Sequence, residues 1–309
     1  MPHRRALVGL LLASLAGRPF PASAQRPPPP RRIALLVPSD VPTEAPFHEA
    51  LREHGYVDGR TVIIDRRSAG GDFARLPALA AELVAARPEV IVAFVTQASL
   101  AAKQATSTIP IVMVAVGDPV GSGLVADLRR PGGNVTGTAG QTSAVVGKQL
   151  ELIRELAPRA ARVATLWNPG NPTFQGQSVR EAQAAAAQLG MRLDLVEART
   201  PEAAEQRVKG LASHRPDAVL VLADPLFITH AGRIARALLD ARLIGVGGAR
   251  VYAEAGLLAI YAPDLRPAAR SAARYVDLIL RGSRPGELPV EIVSKFDTVV
   301  NLRTAEALG

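Results

Sequence analysis

The sequence predicts an α/β protein made of two doubly wound, Rossmann-like lobes joined by a hinge. Three observations carry that prediction. Short runs of Val, Ile and Leu alternate with longer runs rich in Ala and Leu, as in parallel sheets covered by helices on both faces. The same order of runs begins again in the second half of the chain. The chain is 309 residues long, which suits two domains of ordinary size.

The first half reads strand and helix in turn. Ile33–Val37 is a continuous apolar run, as expected of a strand buried on both faces, and Phe47–His54 is amphipathic. Val62–Ile64 is the next strand, Arg75–Ala86 a helix, Val90–Val95 a strand, Ser99–Thr106 a helix and Ile111–Val116 a strand. The second half places strands at Val163–Trp167, Leu193–Val196, Ala218–Leu222 and Leu243–Val246. Helices fall between them at Gln177–Leu189, Pro201–Ser213 and Ala231–Ala241. The plainest echo sets Arg87-Pro88-Glu89-Val90 beside Arg215-Pro216-Asp217-Ala218. In each, a proline stops a helix, an acid follows, and a buried strand starts.

The start of the chain has the order of an export leader. His3, Arg4 and Arg5 precede an apolar run of 12 residues, Ala6–Gly17, and then Ala22-Ser23-Ala24 stands ahead of Gln25. That is a signal peptide over residues 1–24, cleaved near Ala24–Gln25. The run is too short to cross a hydrocarbon core of ~30 Å as a helix. Arg4-Arg5 also gives a weak match to a twin-arginine leader. Pro27–Pro30 makes residues 25–32 an extended linker. The chain has no cysteine, which excludes thiol catalysis, zinc–thiolate sites and iron–sulfur clusters. It also removes the lipid-carrying cysteine of a lipoprotein. The formal charge is +8, three of it on Arg4, Arg5 and Arg18. The remainder is scattered rather than gathered on one face, so no nucleic-acid partner is expected.

In an open α/β sheet, ligands bind beyond the carboxyl ends of the strands. Two such lobes in one chain imply a cleft lined by Pro38-Ser39-Asp40, Thr96-Gln97-Ala98-Ser99 and Gly117-Asp118-Pro119 from the first lobe. The second lobe offers Asn168-Pro169-Gly170-Asn171-Pro172, Ala223-Asp224-Pro225 and Gly247-Gly248-Ala249-Arg250. Free N–H groups at helix starts suit a carboxylate, and Asp118 and Asp224 suit an ammonium group. The same Asp-Pro and Asn-Pro pairs are also strong helix starts, with the acid or amide as cap and Pro in the first turn. Both roles stay open for each residue. His48, His54, His214 and His230 lack metal-ligand spacing, and no Gly-x-Ser-x-Gly, Walker or Gly-x-Gly-x-x-Gly pattern occurs.

Longer stretches carry a resemblance. They include Glu53-His-Gly-Tyr-Val-Asp-Gly59, Arg130-Pro-Gly-Gly-Asn-Val-Thr-Gly137, Asn168-Pro-Gly-Asn-Pro172 and Tyr275-Val-Asp-Leu-Ile-Leu-Arg-Gly282. Through these the chain resembles the ABC-transporter substrate-binding proteins related to the tryptophan/tyrosine uptake proteins, from about Arg32 to the last residue. One departure is Tyr261-Ala262-Pro263-Asp264, where the family reads Tyr-Gly-Pro-Asp. The resemblance implies the type I periplasmic-binding fold. It implies an N-terminal lobe of residues 33–136 plus 262–285 and a C-terminal lobe of 137–261 plus 286–309. Val135–Gly137, Tyr261–Pro263 and Pro285–Leu288 would be the hinge. The ligand-facing residues it implies are Ser39, Thr96, Gln97, Asp118, Asn168, Asp224 and Tyr261. The implied function is the periplasmic solute-binding component of an ABC importer, capturing a small polar ligand such as an amino acid. Its partners are that ligand and an ABC permease in the inner membrane. No cofactor or metal is expected, and a monomer suits hinge closure.

Two other uses of the cleft fit the same sequence. A ligand sensor feeding a receptor would look the same in sequence. An exported enzyme would need Asp118 and Asp224 as acid and base, with no third group supporting them. A DNA-binding regulator of this fold would need an N-terminal helix-turn-helix, where this chain has its leader.

Overall fold

The computed structural model describes residues 30–40, 42–140 and 143–309. The leader at 1–24 and residues 25–29 of the expected 25–32 linker lie outside the described residues, while Arg31 and Arg32 of that linker already belong to the first strand. The first sheet contains β1 (Arg31–Val37), β2 (Val62–Ser68), β3 (Val90–Phe94), β4 (Ile111–Val116), β5 (Val135–Ala139) and β11 (Glu291–Ile292). Its order is β11-β5-β4-β3-β1-β2, with every pairing parallel. The second sheet contains β6 (Arg162–Trp167), β7 (Arg192–Glu197), β8 (Ala218–Val221), β9 (Gly245–Gly247), β10 (Ala259–Pro263) and β12 (Phe296–Val300). Its order is β12-β10-β9-β8-β6-β7, and only β12 runs antiparallel. The repeat read in the sequence is thus a repeat of topology.

Strand alternation divides each sheet between two cores. Ile33, Leu35 and Val37 of β1 pack on Phe47 and Leu51 of α1 (Glu44–Glu53) and on Val276 of α10 (Arg266–Leu280). Ala34 and Leu36 point the other way, onto Leu76 and Leu83 of α2 (Leu76–Ala85) and Ala98 and Ala102 of α3 (Val95–Ala105). Successive side chains of a strand face opposite sides, so a run apolar at every position is what two covered faces require. In the second lobe, Val163 packs towards α4 (Ser143–Leu156) and α5 (Pro172–Gln188), while Ala164 and Leu166 meet α6 (Pro201–His214) and α8 (Ala231–Asp240). The edge strands β2 and β7 are rich in charge and half-exposed, which discourages pairing with another chain. No helix among the described residues is long and apolar enough to cross a membrane.

The chain passes between the sheets three times, at places that differ from the hinge expected from sequence. β5 belongs to the first sheet through Ala139, so the first passage follows Ala139 rather than Thr136. β10 belongs to the second sheet through Pro263, so the second passage is at Asp264 and Leu265, not within Tyr261–Pro263. The third lies between β11 and β12, not at Pro285–Leu288. Residues 285–292 stay with the first lobe: Gly132 N–H donates to the Gly286 carbonyl at 3.1 Å, and Thr136 Oγ1 donates to the Leu288 carbonyl at 2.7 Å. The reason is the open backbone edge of β5, which β11 covers by pairing with Thr138 and Ala139.

Two helices begin earlier than the apolar pattern indicates. Val95, expected to end a strand, adopts φ 58° and opens α3. Thr96 and Gln97 therefore lie in the first helical turn and not in a loop. Pro172 opens α5 five residues ahead of the expected Gln177, because proline fits the first turn without loss of a hydrogen bond.

Candidate functional site

The carboxyl ends of the two sheets face one another across a cavity of about 340 Å³. The first lobe contributes Thr43, Val95, Thr96, Gln97 and Ala115; the second contributes Gln149, Phe174, Asp224 and Gly248. Arg266 and Asp297 lie at the hinge side. Val95 and Ala115, both wall residues, hold φ of 58° and 55°. A β-branched residue in that region is uncommon, and such conformations gather at functional sites. In β4 the left-handed residue coincides with a register shift between Met113 and Val116, and Ala115 N–H donates to Thr138 Oγ1 at 3.1 Å.

Asp224 organises the second lobe's wall. It precedes Pro225 at the start of α7 (Pro225–Thr229), and its Oδ1 accepts Leu226 N–H at 3.0 Å as a cap. The carboxylate also accepts from the Asn168 amide at 3.0 Å and the Asn171 amide at 2.8 Å. Asn168 is held in turn by Gly170 N–H, which donates to its Oδ1 at 2.8 Å. The Asn168 N–H donates to Gln175 Oε1 at 3.1 Å. Asp224 is fully buried. Burial raises its pKa, opposed by the two asparagine amides and the Leu226 N–H. Among the described residues no Lys, Arg or His lies within ion-pair distance of it. The other acids of the wall are paired. Arg250 meets Asp297 at 2.8 Å and Glu254 at 3.2 Å, and Asp264 is held by Arg266 at 2.8 Å and Lys295 at 3.4 Å.

The residues expected from sequence are distributed unevenly. Thr96, Gln97 and Asp224 line the cavity. Asn168 stands behind Asp224 as its support. Ser39 is buried at a contact between the lobes, where Thr229 Oγ1 donates to its Oγ at 3.3 Å. Asp118 lines an adjoining cavity of about 590 Å³ that shares Thr96 and Phe174 with the first. Its Oδ1 accepts Gly121 N–H at 2.8 Å. The Tyr261 ring stacks on Phe296, centroids 5.6 Å apart and planes 2° from parallel, and is not among the residues lining the cavity. Only its carbonyl engages the site, accepting from Gln149 Nε2 at 2.9 Å. Among the described residues no group of three His, Asp or Glu could hold a metal ion.

Gln149, Phe174 and Arg266 were not singled out from sequence. For Gln149 a signal exists. Val145, Val146, Leu150 and Ile153 of α4 are buried, and Gln149 falls on that apolar stripe, where a polar side chain needs a reason.

Residues 37–309 match the family described as ABC transporter substrate binding protein. The chain belongs to that family. It is 28% identical over 264 residues to a tyrosine-binding protein of Clostridioides difficile strain R20291, covering 85% of this chain and 75% of the relative. It is 26% identical to the ABC domain solved in complex with L-Trp from Streptococcus pneumoniae, with a TM-score of 0.82 and coverage of 91% and 95%. A ligand-free, open substrate-binding protein with adhesive properties from Clostridium difficile is 25% identical, covers 90% and 95%, and gives a TM-score of 0.64. At nearly equal identity, this substrate-binding protein superposes better on the liganded relative than on the open one. Its own lobes touch, through Ser39 with Thr229 and through Gln97 with Asn171. The type I periplasmic-binding fold expected from sequence is the fold found.

Proposed function

We propose that this substrate-binding protein captures an α-amino acid in the periplasm and presents it to an ABC permease of the inner membrane. The observation that carries this reading is Asp224: a fully buried carboxylate on the cavity wall, with no cation beside it among the described residues. A buried charge needs a partner or a proton, and a ligand's ammonium group supplies the partner. The neighbouring acids do not compete, since Arg250, Arg266 and Lys295 neutralise them. Apolar lining from Val95, Phe174 and Ile228 favours a ligand with an apolar side chain. The names of the relatives make tyrosine and tryptophan the first compounds to test.

Thr96, Gln97 and Asp224 are the proposed contacts, with Asn168 fixing Asp224 and Ser39 joining the lobes. Asp118 serves the second cavity. This separation argues against an acid–base pair of Asp118 and Asp224, because the two line different cavities. The leader pattern supports export with cleavage near Ala24–Gln25, and a monomer suits rotation of the lobes about their three connections.

The test is calorimetric titration of residues 25–309 with the twenty amino acids, small sugars and carboxylic acids, followed by mass analysis of the recovered ligand. Saturable binding of one or a few amino acids, returned unchanged, supports the reading. Binding confined to sugars, or chemical conversion of the ligand, overturns it.

A further inference from the structure

We propose that Gln149 reads the ligand's ammonium group and so makes the cavity select amines over the corresponding plain acids. The inference rests on the amino-acid reading above. Gln149 lies midway along α4 and is 2% exposed. Its Nε2 donates to the Tyr261 carbonyl at 2.9 Å, which fixes the orientation of the amide. The other atom, Oε1, is buried and accepts from no group among the described residues, although the side chain lines the cavity. Native proteins seldom leave a buried acceptor without a donor. Oε1 itself has almost no accessible surface in this form, so the inferred donor is an occupant of the cavity that packs against this side chain and draws the oxygen towards it.

The surroundings select a cation as that donor. Gly248 separates Gln149 from the loop that carries Asp224: a Cβ there would lie 2.9 Å from Gln149 Nε2 and 3.3 Å from Ala223 Cβ. Absence of a side chain at 248 is what lets the amide lie against that loop. Both Asp224 oxygens already accept protein N–H groups. Asp224 thus supplies negative potential, and Gln149 Oε1 supplies the open acceptor. A hydroxyl would satisfy only the acceptor, whereas an ammonium group answers both.

The experiment measures Kd for the wild type, Gln149→Met and Gly248→Ala. The probes are L-tyrosine, L-tryptophan and their analogues without the amino group, 3-(4-hydroxyphenyl)propionate and indole-3-propionate, with the other amino acids and their deamino acids if neither binds. The wild type should prefer the amino acid. Gln149→Met should reduce that preference about tenfold or more, the scale of a hydrogen bond to a charged group, while the deaminated acid binds nearly as before. Gly248→Ala, by crowding the amide, should shift the ratio in the same direction, and it carries the test alone if Gln149→Met does not fold. A residue with a merely structural role would weaken amine and acid alike, so an unchanged ratio overturns the inference and leaves the amino-acid reading standing. A wild type that binds none of the twenty amino acids overturns both.

Discussion

Gln97, in the first turn of α3, donates its side-chain amide to the side-chain carbonyl of Asn171 across the cleft. The same Asn171 donates its own amide to Asp224. One asparagine therefore couples contact between the lobes to the buried carboxylate on the cavity wall. A ligand that engages Asp224 acts on the group that already ties the lobes together.

Gln97→Ala removes that tie while leaving the helix intact. A neutral hydrogen bond contributes ~1 kcal/mol, so the closed-to-open ratio falls about fivefold and ligand affinity falls by up to that factor. Titration calorimetry with the identified ligand measures the affinity, and small-angle scattering follows the lobes. Unchanged affinity would show that the contact does not stabilise the closed form.

Gly137 is the position least able to accept a side chain. Its φ is +133°, and a Cβ would come 2.1 Å from the Met113 carbonyl oxygen and 2.8 Å from the Met113 nitrogen. Backbone cannot yield as a side chain can, so Gly137→Ala should cost ~3 kcal/mol or more. Gly190 has φ +64° with nothing within 4 Å of an added Cβ, so Gly190→Ala should cost only about 1 kcal/mol. Urea unfolding of the two variants gives both numbers, and equal losses would mean that space around Gly137 is not the constraint.

Acid stability should depend on two carboxylates of similar behaviour. The Arg266 guanidinium holds Asp264 down to about 2 from its usual 3.8. Burial pushes Glu44 up, but hydrogen bonds from His48 and Arg66 prevail and bring it to about 2 from 4.5. A folded pKa below the unfolded one stabilises the protein above the unfolded value, and that stability is lost as pH falls towards the folded value. The melting temperature should therefore drop between about pH 4.5 and 2, and Arg266→Met should remove the Asp264 share. Calorimetry across that range tests this; a drop as steep in the variant as in the wild type would contradict it.

Asp224 has the opposite sign. Burial raises its pKa, so it favours the folded state less as pH rises, and it takes up a proton above the range of an ordinary carboxyl, about 4. Protonation removes the charge that an ammonium ligand meets. Affinity should thus weaken on acidification, approaching tenfold per pH unit once below that pKa. Titrations from pH 8 down to about 4, where an ordinary carboxyl is half protonated, test this, and affinity flat over that whole range would mean that the carboxylate's charge does not contribute to binding.

Much of the fold was legible locally. Ile33–Val37 and Val90–Phe94 could only be strands with two covered faces, and the echo of Arg87-Pro88 by Arg215-Pro216 announced the second lobe. Glu291–Ile292 and Phe296–Val300 were another matter. They are neighbours in sequence yet join different sheets, and no local pattern says which strand edge lacks a partner. Val95 misled for a related reason: its residue type favours a strand, but the turn into α3 imposes φ 58°.

The sequence by itself determined the two-lobed α/β architecture, its repeat, and the loops from which a ligand site would be drawn. Periodicity and proline placement are local, and the chain reports them directly. Only the tertiary structure decided how the expected residues divide: Asp224 to the cavity wall, Asp118 to the space beside it, the Tyr261 ring onto Phe296, and Gln149 into the cavity from a helix that no motif marks. Whether a polar group is satisfied depends on which partners packing brings within hydrogen-bond distance. For Asp224 and Gln149 those partners are 53 and 112 residues away along the chain.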